Sequence, residues 1–195
     1  MAMLDHSAQS GRHSLAARGP DFYSTPPVAV HALLRVEKLP RKIWEPAAGS
    51  GAIVETLRAA GYAVHASDLH DWGCPDCRGG VDFLAVRRAP AGVTCIVTNP
   101  PFKLAEQFVT HGLKLCPRIT VLLRLAFLES ERRTPLFDRG VLARVHLFKD
   151  RLPFMHRHGW TGRRASSAIC FAWFVFDRNH QGPATLNRIS RKETP

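Results

Sequence analysis

The chain has 195 residues, 45% of them apolar and 22% charged, the composition of one globular domain rather than a disordered segment. Its 27 lysines and arginines against 16 acidic residues leave a net charge of +11, which favours a polyanionic partner and argues against a cationic substrate. Five cysteines are too few for a disulfide framework, the first residues lack the apolar core of a signal peptide, and the best candidate for a membrane span, 119–128, is short and interrupted by Arg124. A reducing cytoplasm and no membrane span are therefore expected.

Residues 1–20 are polar, without periodicity, and read as a loose arm. The stretch 27–38 carries Val28, Leu33, Leu34 and Val36 and reads as a helix opened by Pro26-Pro27. Ile43-Trp44 is the visible end of a short strand. Residues 51–60 have Ile53, Val54 and Leu57 at helical spacing, with Gly61 as a stop. A second short strand, 63–66, ends at Ser67-Asp68, and residues 81–84 read as the edge of another small element. Residues 93–98 (VTCIVT) form a buried-type strand that stops at Asn99-Pro100-Pro101. A helix is expected over 104–116, with Leu104, Phe108, Leu113 and Leu115 available for its inner side. Strands are expected over 119–123 and 169–176 (ICFAWFVF). The last residues, 178–195, are polar and basic and read as a tail. The folded domain is therefore expected over 21–177.

Strands alternating with helices indicate an α/β domain with a mainly parallel sheet. Ligands of such sheets bind beyond the carboxyl ends of the strands. Three signals sit there. The first is Trp44-Glu45-Pro46-Ala47-Ala48-Gly49-Ser50-Gly51, between a strand and a helix, where glycines permit a tight turn and close approach of a ligand. The second is Asp68, a strand-end carboxylate able to accept both hydroxyls of a ribose. The third is Asn99-Pro100-Pro101-Phe102, where two prolines stiffen the backbone, two oxygens can face one amino group, and an aromatic ring offers a stacking face. Each has a plainer reading: a bland turn, a helix cap, a rigid corner with a core phenylalanine.

In this order, on successive strand ends, the three resemble the S-adenosylmethionine-dependent amino-methyltransferases, and among them the small DNA adenine-N6 methyltransferases of bacteria and phages. The resemblance spans about residues 21–176 and implies a Rossmann-like fold with a mainly parallel seven-stranded sheet flanked by helices. It makes Glu45, Pro46, Ala47, Gly49, Ser50 and Gly51 the cofactor loop and Asn99, Pro100, Pro101 and Phe102 the catalytic motif. Tyr23, Thr25 and Pro26 match an upstream segment that helps hold the methionine end of the cofactor, and Asn99 adjoins it. Asp68, with Leu69 beside it, matches the ribose acid. Asp82 and Phe83 match the pair that meets the cofactor's adenine. Phe102 in place of the commoner tyrosine keeps the ring and loses a hydroxyl.

The implied chemistry is direct transfer. The Asn99 oxygen and the Pro100 carbonyl accept the two hydrogens of an exocyclic amine, Phe102 stacks on the target base, and that base is flipped out of its helix. The segment 131–167 supplies basic and aromatic residues for a nucleic acid, DNA first and RNA second: Arg132, Arg133, Arg157, His158, Trp160, Arg163 and Arg164. Cys74-Pro75-Asp76-Cys77 is a lone CxxC near His65 and His70; without a second pair, no metal is expected. Arg124 faces either the substrate or solvent. Three rivals remain: an RNA adenine methyltransferase, a protein glutamine methyltransferase, and a non-catalytic nucleic-acid-binding module on the same fold.

Overall fold

A computed structural model describes residues 24–153 and 169–192. Eight strands form one sheet: β1 (Lys42–Glu45), β2 (Ala63–Ser67), β3 (Cys77–Arg78), β4 (Cys95–Thr98), β5 (Arg118–Arg124), β6 (Leu142–Phe148), β7 (Phe171–Asp177) and β8 (Thr185–Ile189). Their order is β3-β2-β1-β4-β5-β7-β6-β8. All neighbours are parallel except β7, which runs antiparallel to β5 and β6. The helices are α1 (Pro27–Val36), α2 (Ala52–Ala59), α3 (Ala105–Leu115) and the single turn α4 (Thr134–Phe137).

Both faces of the central strands are covered, which is why β4 and β7 read as unbroken apolar runs. Period-two alternation divides them between two cores. Ile96, Phe174 and Phe176 pack with Phe108, Val109 and Leu113 of α3. Cys95, Val97, Phe171 and Trp173 pack with Ala29, Val30 and Leu33 of α1 and with Ile53 and Leu57 of α2. Trp173 donates its indole N–H to the Ala29 carbonyl at 2.9 Å, so this fully buried ring leaves no polar atom unpaired. Gly112 lets α3 approach the sheet; a Cβ there would lie 2.6 Å from the Ile119 Cδ1.

Two expectations need correction. The sheet has eight strands, not seven, and the eighth comes from the stretch read as a tail. Four of the five β8 residues are exposed, so no apolar alternation marks it. It is held by its parallel ladder to β6, by Arg35 donating to the Ser190 carbonyl, and by Asp150 accepting from the Ser190 hydroxyl and the Arg191 N–H at 2.9 and 3.0 Å. Strand β6 also escapes a reading by pattern. Arg144 and His146 interrupt its apolar sequence, and both turn toward a buried acid, Glu37, just beyond α1. The His146 Nε2 lies 2.7 Å from Glu37 Oε1, which also accepts from the Arg144 Nε, and the Arg144 Nη2 donates to Oε2 at 3.1 Å. The element expected at 81–84 is a 3₁₀ turn, Phe83–Ala85.

Burial pushes the Glu37 carboxyl up, but hydrogen bonds from His146 and Arg144 outweigh it and hold the group below its ordinary value of 4.5. Its contribution to stability is then present above the unfolded value and is lost as pH falls through the folded one. Glu37→Ala, which leaves the half-buried Arg144 guanidinium and the buried His146 ring without their shared acceptor, is expected to lower unfolding free energy by about 3 kcal/mol. Denaturant titration at neutral pH reads that loss, and the gap between variant and parent should close as the solution is taken well below pH 4.5.

Candidate functional site

The carboxyl ends of β4, β1 and β2 lie side by side, and the three sequence signals sit at those ends. After β1 the chain turns through Gly49 at φ 53° and Gly51 at φ 95°, the left-handed region that favours glycine. This loop hangs on the tip of β2: the Ala48 N–H donates to the Ser67 carbonyl at 3.1 Å, and the Gly49 N–H donates to Asp68 Oδ2 at 2.9 Å. The other Asp68 oxygen accepts from the His70 N–H and from the Trp72 indole, at 2.9 and 3.1 Å. Asp68 is thus a buried acceptor of three hydrogen bonds, not a solvated turn residue.

Glu45 lies fully buried under the loop. Its Oε1 accepts from the Ala47 N–H at 3.0 Å, while its Oε2 has no hydrogen-bond partner. Burial pushes this carboxyl up to about 8. The Thr98 hydroxyl and the Ala47 N–H act against that rise and the Asp68 charge adds to it, although Thr98 makes no hydrogen bond of good geometry.

A cavity of about 410 Å³ opens at these strand ends. Of the residues expected to hold the cofactor, Thr25, Pro46, Ala47, Ser50, Asp68, Leu69, Asp82, Phe83 and Asn99 line it, together with Pro100 and Pro101 of the catalytic motif. Glu45, Gly49 and Gly51 shape the loop from behind, and Pro26 precedes α1 without reaching the wall. Phe83 borders the cavity but is largely committed to the core, edge-on to Trp44 at 5.2 Å and tilted on Phe108 at 4.7 Å. The Asp82 Oδ1 accepts from the Leu84 N–H at 3.0 Å and starts the turn that carries Phe83. Sequence reasoning missed Trp72 and Lys103 on the wall, and read Leu104 only as an inward helix position. Phe108 was legible only as an inward helix position.

The Asn99 Nδ2 donates to the Thr25 hydroxyl at 3.0 Å, across 74 residues of sequence. With the amide nitrogen on Thr25, the acceptor of that side chain is Oδ1. Phe102 does not line the cavity, although Pro101 and Lys103 on either side of it do. Its ring lies under the Arg124 guanidinium, 4.8 Å from carbon to centroid, and beside Phe171 at 6.0 Å.

The expected nucleic-acid residues divide. Arg132 is exposed and pairs with Glu106 at 3.1 Å. Arg133 has a packing role instead: its guanidinium lies 4.4 Å over the Phe127 ring and donates to the Phe127 carbonyl at 2.9 Å. Tyr23, Arg157, His158, Trp160, Arg163 and Arg164 lie outside the described residues. Burial pushes the Cys74 thiol up and the Cys77 thiol up to about 12, so neither is a ready thiolate. Among the described residues no group of three His, Cys, Asp or Glu is placed to hold a metal ion. No helix among them is long and apolar enough to cross a membrane.

No family model and no curated protein matches the chain. Solved structures do. A protein of Listeria monocytogenes assigned as a class I S-adenosylmethionine-dependent methyltransferase superposes with a TM-score of 0.57 at 14% identity, over 85% of this chain and 64% of that one. A modification subunit assigned to a type I restriction enzyme of Vibrio vulnificus gives 0.55 at 13% identity, over 86% of this chain but only 46% of that subunit. The 23S rRNA methyltransferase ErmE gives 0.51 at 16% identity, over 81% and 70%. The eight-stranded, mostly parallel sheet with flanking helices is the Rossmann-like fold of class I methyltransferases.

The turn at Gly51 ties the loop to the segment that follows β2. A Cβ there would meet the Cys74 Sγ at 2.9 Å, at a backbone φ that side chains avoid. Gly51→Ala is expected to cost about 1–3 kcal/mol. Thermal and denaturant unfolding measure the cost; Gly61→Ala, at φ 87° with nothing within 4 Å, separates backbone strain from the clash.

Proposed function

We propose that the protein is an S-adenosylmethionine-dependent methyltransferase acting on the N6 amine of adenine in DNA. The observation that carries this reading is the juxtaposition of Asn99, held through its Nδ2 by Thr25, with a cavity walled by the loop after β1 and by Asp68. The fold similarity supports it, and the net charge of +11 fits a polyanionic substrate.

The residues present fit the cofactor. The cavity is of the size that takes a small organic ligand. Asp68 would hold ribose hydroxyls, Asp82 the adenine amino group, and Leu84 and Phe108 the flat apolar wall against the base. Two carboxylate oxygens offer about four acceptor directions, and Asp68 already uses three. Binding both hydroxyls therefore requires the Trp72 indole to yield its place. Glu45, with a buried oxygen lacking a hydrogen-bond partner, is the acid toward which a methionine ammonium would be drawn. Bound there, the cofactor supplies a methyl group on a positively charged sulfur.

The chain's own residues then act by position and polarity. The Asn99 Oδ1 and the Pro100 carbonyl accept the amine hydrogens, which favours a lone pair directed at the methyl group. The Asn99 Oδ1 is buried in this structure and would have to be uncovered by the arriving amine before it could meet charge growing on the nitrogen. Pro101 stiffens the corner that carries these acceptors, and Phe102 provides the stacking face for a base extruded from its helix. A second reading, adenine in RNA, is favoured by the resemblance to the 23S rRNA methyltransferase.

Incubation with a labelled methyl donor and separate DNA, RNA and protein pools, followed by hydrolysis, tests the substrate. N6-methyladenine from DNA is the expected product. Label in RNA selects the second reading, and N5-methylglutamine in protein defeats both. Cofactor binding with no label in any pool marks a non-catalytic module. Asn99→Ala is expected to lower kcat by roughly 100- to 1,000-fold and to leave cofactor affinity within about threefold.

The raised Glu45 carboxyl adds a pH signature. Near neutral pH it is mostly protonated, and an adjacent ammonium favours its ionised form, so cofactor binding should release a proton. Affinity should rise with pH over roughly 6 to 8. Calorimetry in buffers of different ionisation enthalpy counts the protons; Glu45→Gln should abolish the release.

A further inference from the structure

Arg124 is the last residue of β5, the strand beside β4, and its side chain is exposed at the same edge as Asn99. Its guanidinium carbon lies over the Phe102 ring, 4.8 Å from the centroid, a cation–π contact. Phe171, which faces Arg124 in the β5–β7 register, borders the same ring at 6.0 Å with the planes 42° apart. A base that stacks on the Phe102 face seen by Arg124 must take the guanidinium's seat. The two are alike in being planar and π-bearing, so one is a fitting placeholder for the other.

The charge of Arg124 also meets no acid among the described residues. Arg118 pairs with Asp177, Arg132 with Glu106 and Arg144 with Glu37. Among the described residues Arg124 makes no ion pair. An exposed cation resting on a ring is weakly held, whereas a guanidinium on a phosphate gains two charge-assisted hydrogen bonds. The arrival of an extruded base brings its own flanking phosphates to this edge.

We propose that Arg124 is a substrate-binding residue that rests on Phe102 in the free protein and passes to a backbone phosphate beside the flipped base when the base takes the ring. This rests on the reading of Phe102 as the stacking face. It makes one residue serve two ends: the ring is kept covered until substrate arrives, and the cation that covered it then holds the strand from which the base came.

The test compares Arg124→Ala and Arg124→Lys with the parent protein, using sheared genomic DNA free of adenine methylation as the methyl acceptor. Arg124→Ala should raise KM about tenfold with kcat within about threefold. The slope of log(kcat/KM) against log salt should become shallower by about 0.9, the signature of one lost phosphate contact on duplex DNA. Arg124→Lys should restore the slope. An Arg124→Ala protein with the parent's salt slope, or one that loses kcat and thermal stability with KM unchanged, would overturn the assignment and make Arg124 a prop for Phe102. Failure of the parent itself to methylate any pool would instead defeat the reading on which this inference rests.

Discussion

A carboxylate at the tip of β2 holds the loop that follows β1, and most of the site depends on that contact. The Asp68 Oδ2 takes the Gly49 N–H, and the backbone bond from Ala48 to Ser67 runs beside it. Two strand ends are thereby locked into one wall. The Trp44 indole reinforces the lock from below by donating to the Ser67 hydroxyl at 2.9 Å. The third strand end is tied by a different bond, from Asn99 to Thr25, so the segment before α1 closes the cavity on the remaining side. The cavity is thus framed by hydrogen bonds between segments far apart in sequence. The sheet beneath it supplies the rigid base on which such contacts keep their geometry.

Burial does the complementary electrostatic work. Glu45 is held where its charge is poorly solvated, and burial outweighs the hydrogen bond it accepts. An acid kept protonated by burial under a glycine turn is a latent anion, expressed when a cation comes near. Glu37 shows the opposite balance at the far side of α1. It is also buried, yet two basic partners keep it ionised, and its role is to fasten β6 to α1. The same side chain in two buried settings gives one acid poised to respond and one fixed as a clamp. The partners decide, not the burial.

The fold was legible where strands are covered on both faces. Unbroken apolar runs at 93–98 and 169–176 located β4 and β7, and the glycine and proline punctuation after β1 and β4 located the site. What escaped is explained by the kind of force that holds it. The edge strand β8 depends on backbone pairing, which leaves no mark in side-chain pattern. Strand β6 hides because Arg144 and His146 occupy inward positions that read as polar until their partner, Glu37, is known. Trp72 joined the site through a hydrogen bond to Asp68 made by a loop with no period of its own. Local sequence carries turns and apolar faces; it does not carry polar pairing over long separations.

Charge shows the same limit more sharply. A net +11 counts every arginine equally, but the structure spends them differently. Arg118 and Arg144 neutralise acids that hold strands together, and Arg133 caps an aromatic ring and a carbonyl. These residues contribute to solubility and long-range attraction, yet their side chains are already engaged in maintaining the fold. Arg124 adds one unit to the same total from the strand next to the one that ends at Asn99, and among the described residues it rests on a ring and makes no ion pair. A phosphate competes poorly for a cation that already has a carboxylate and well for one that has only a π face. If the partner is a polyanion as proposed, what counts is which cations at the strand ends lack an acid, and the excess seen in composition measures that only indirectly.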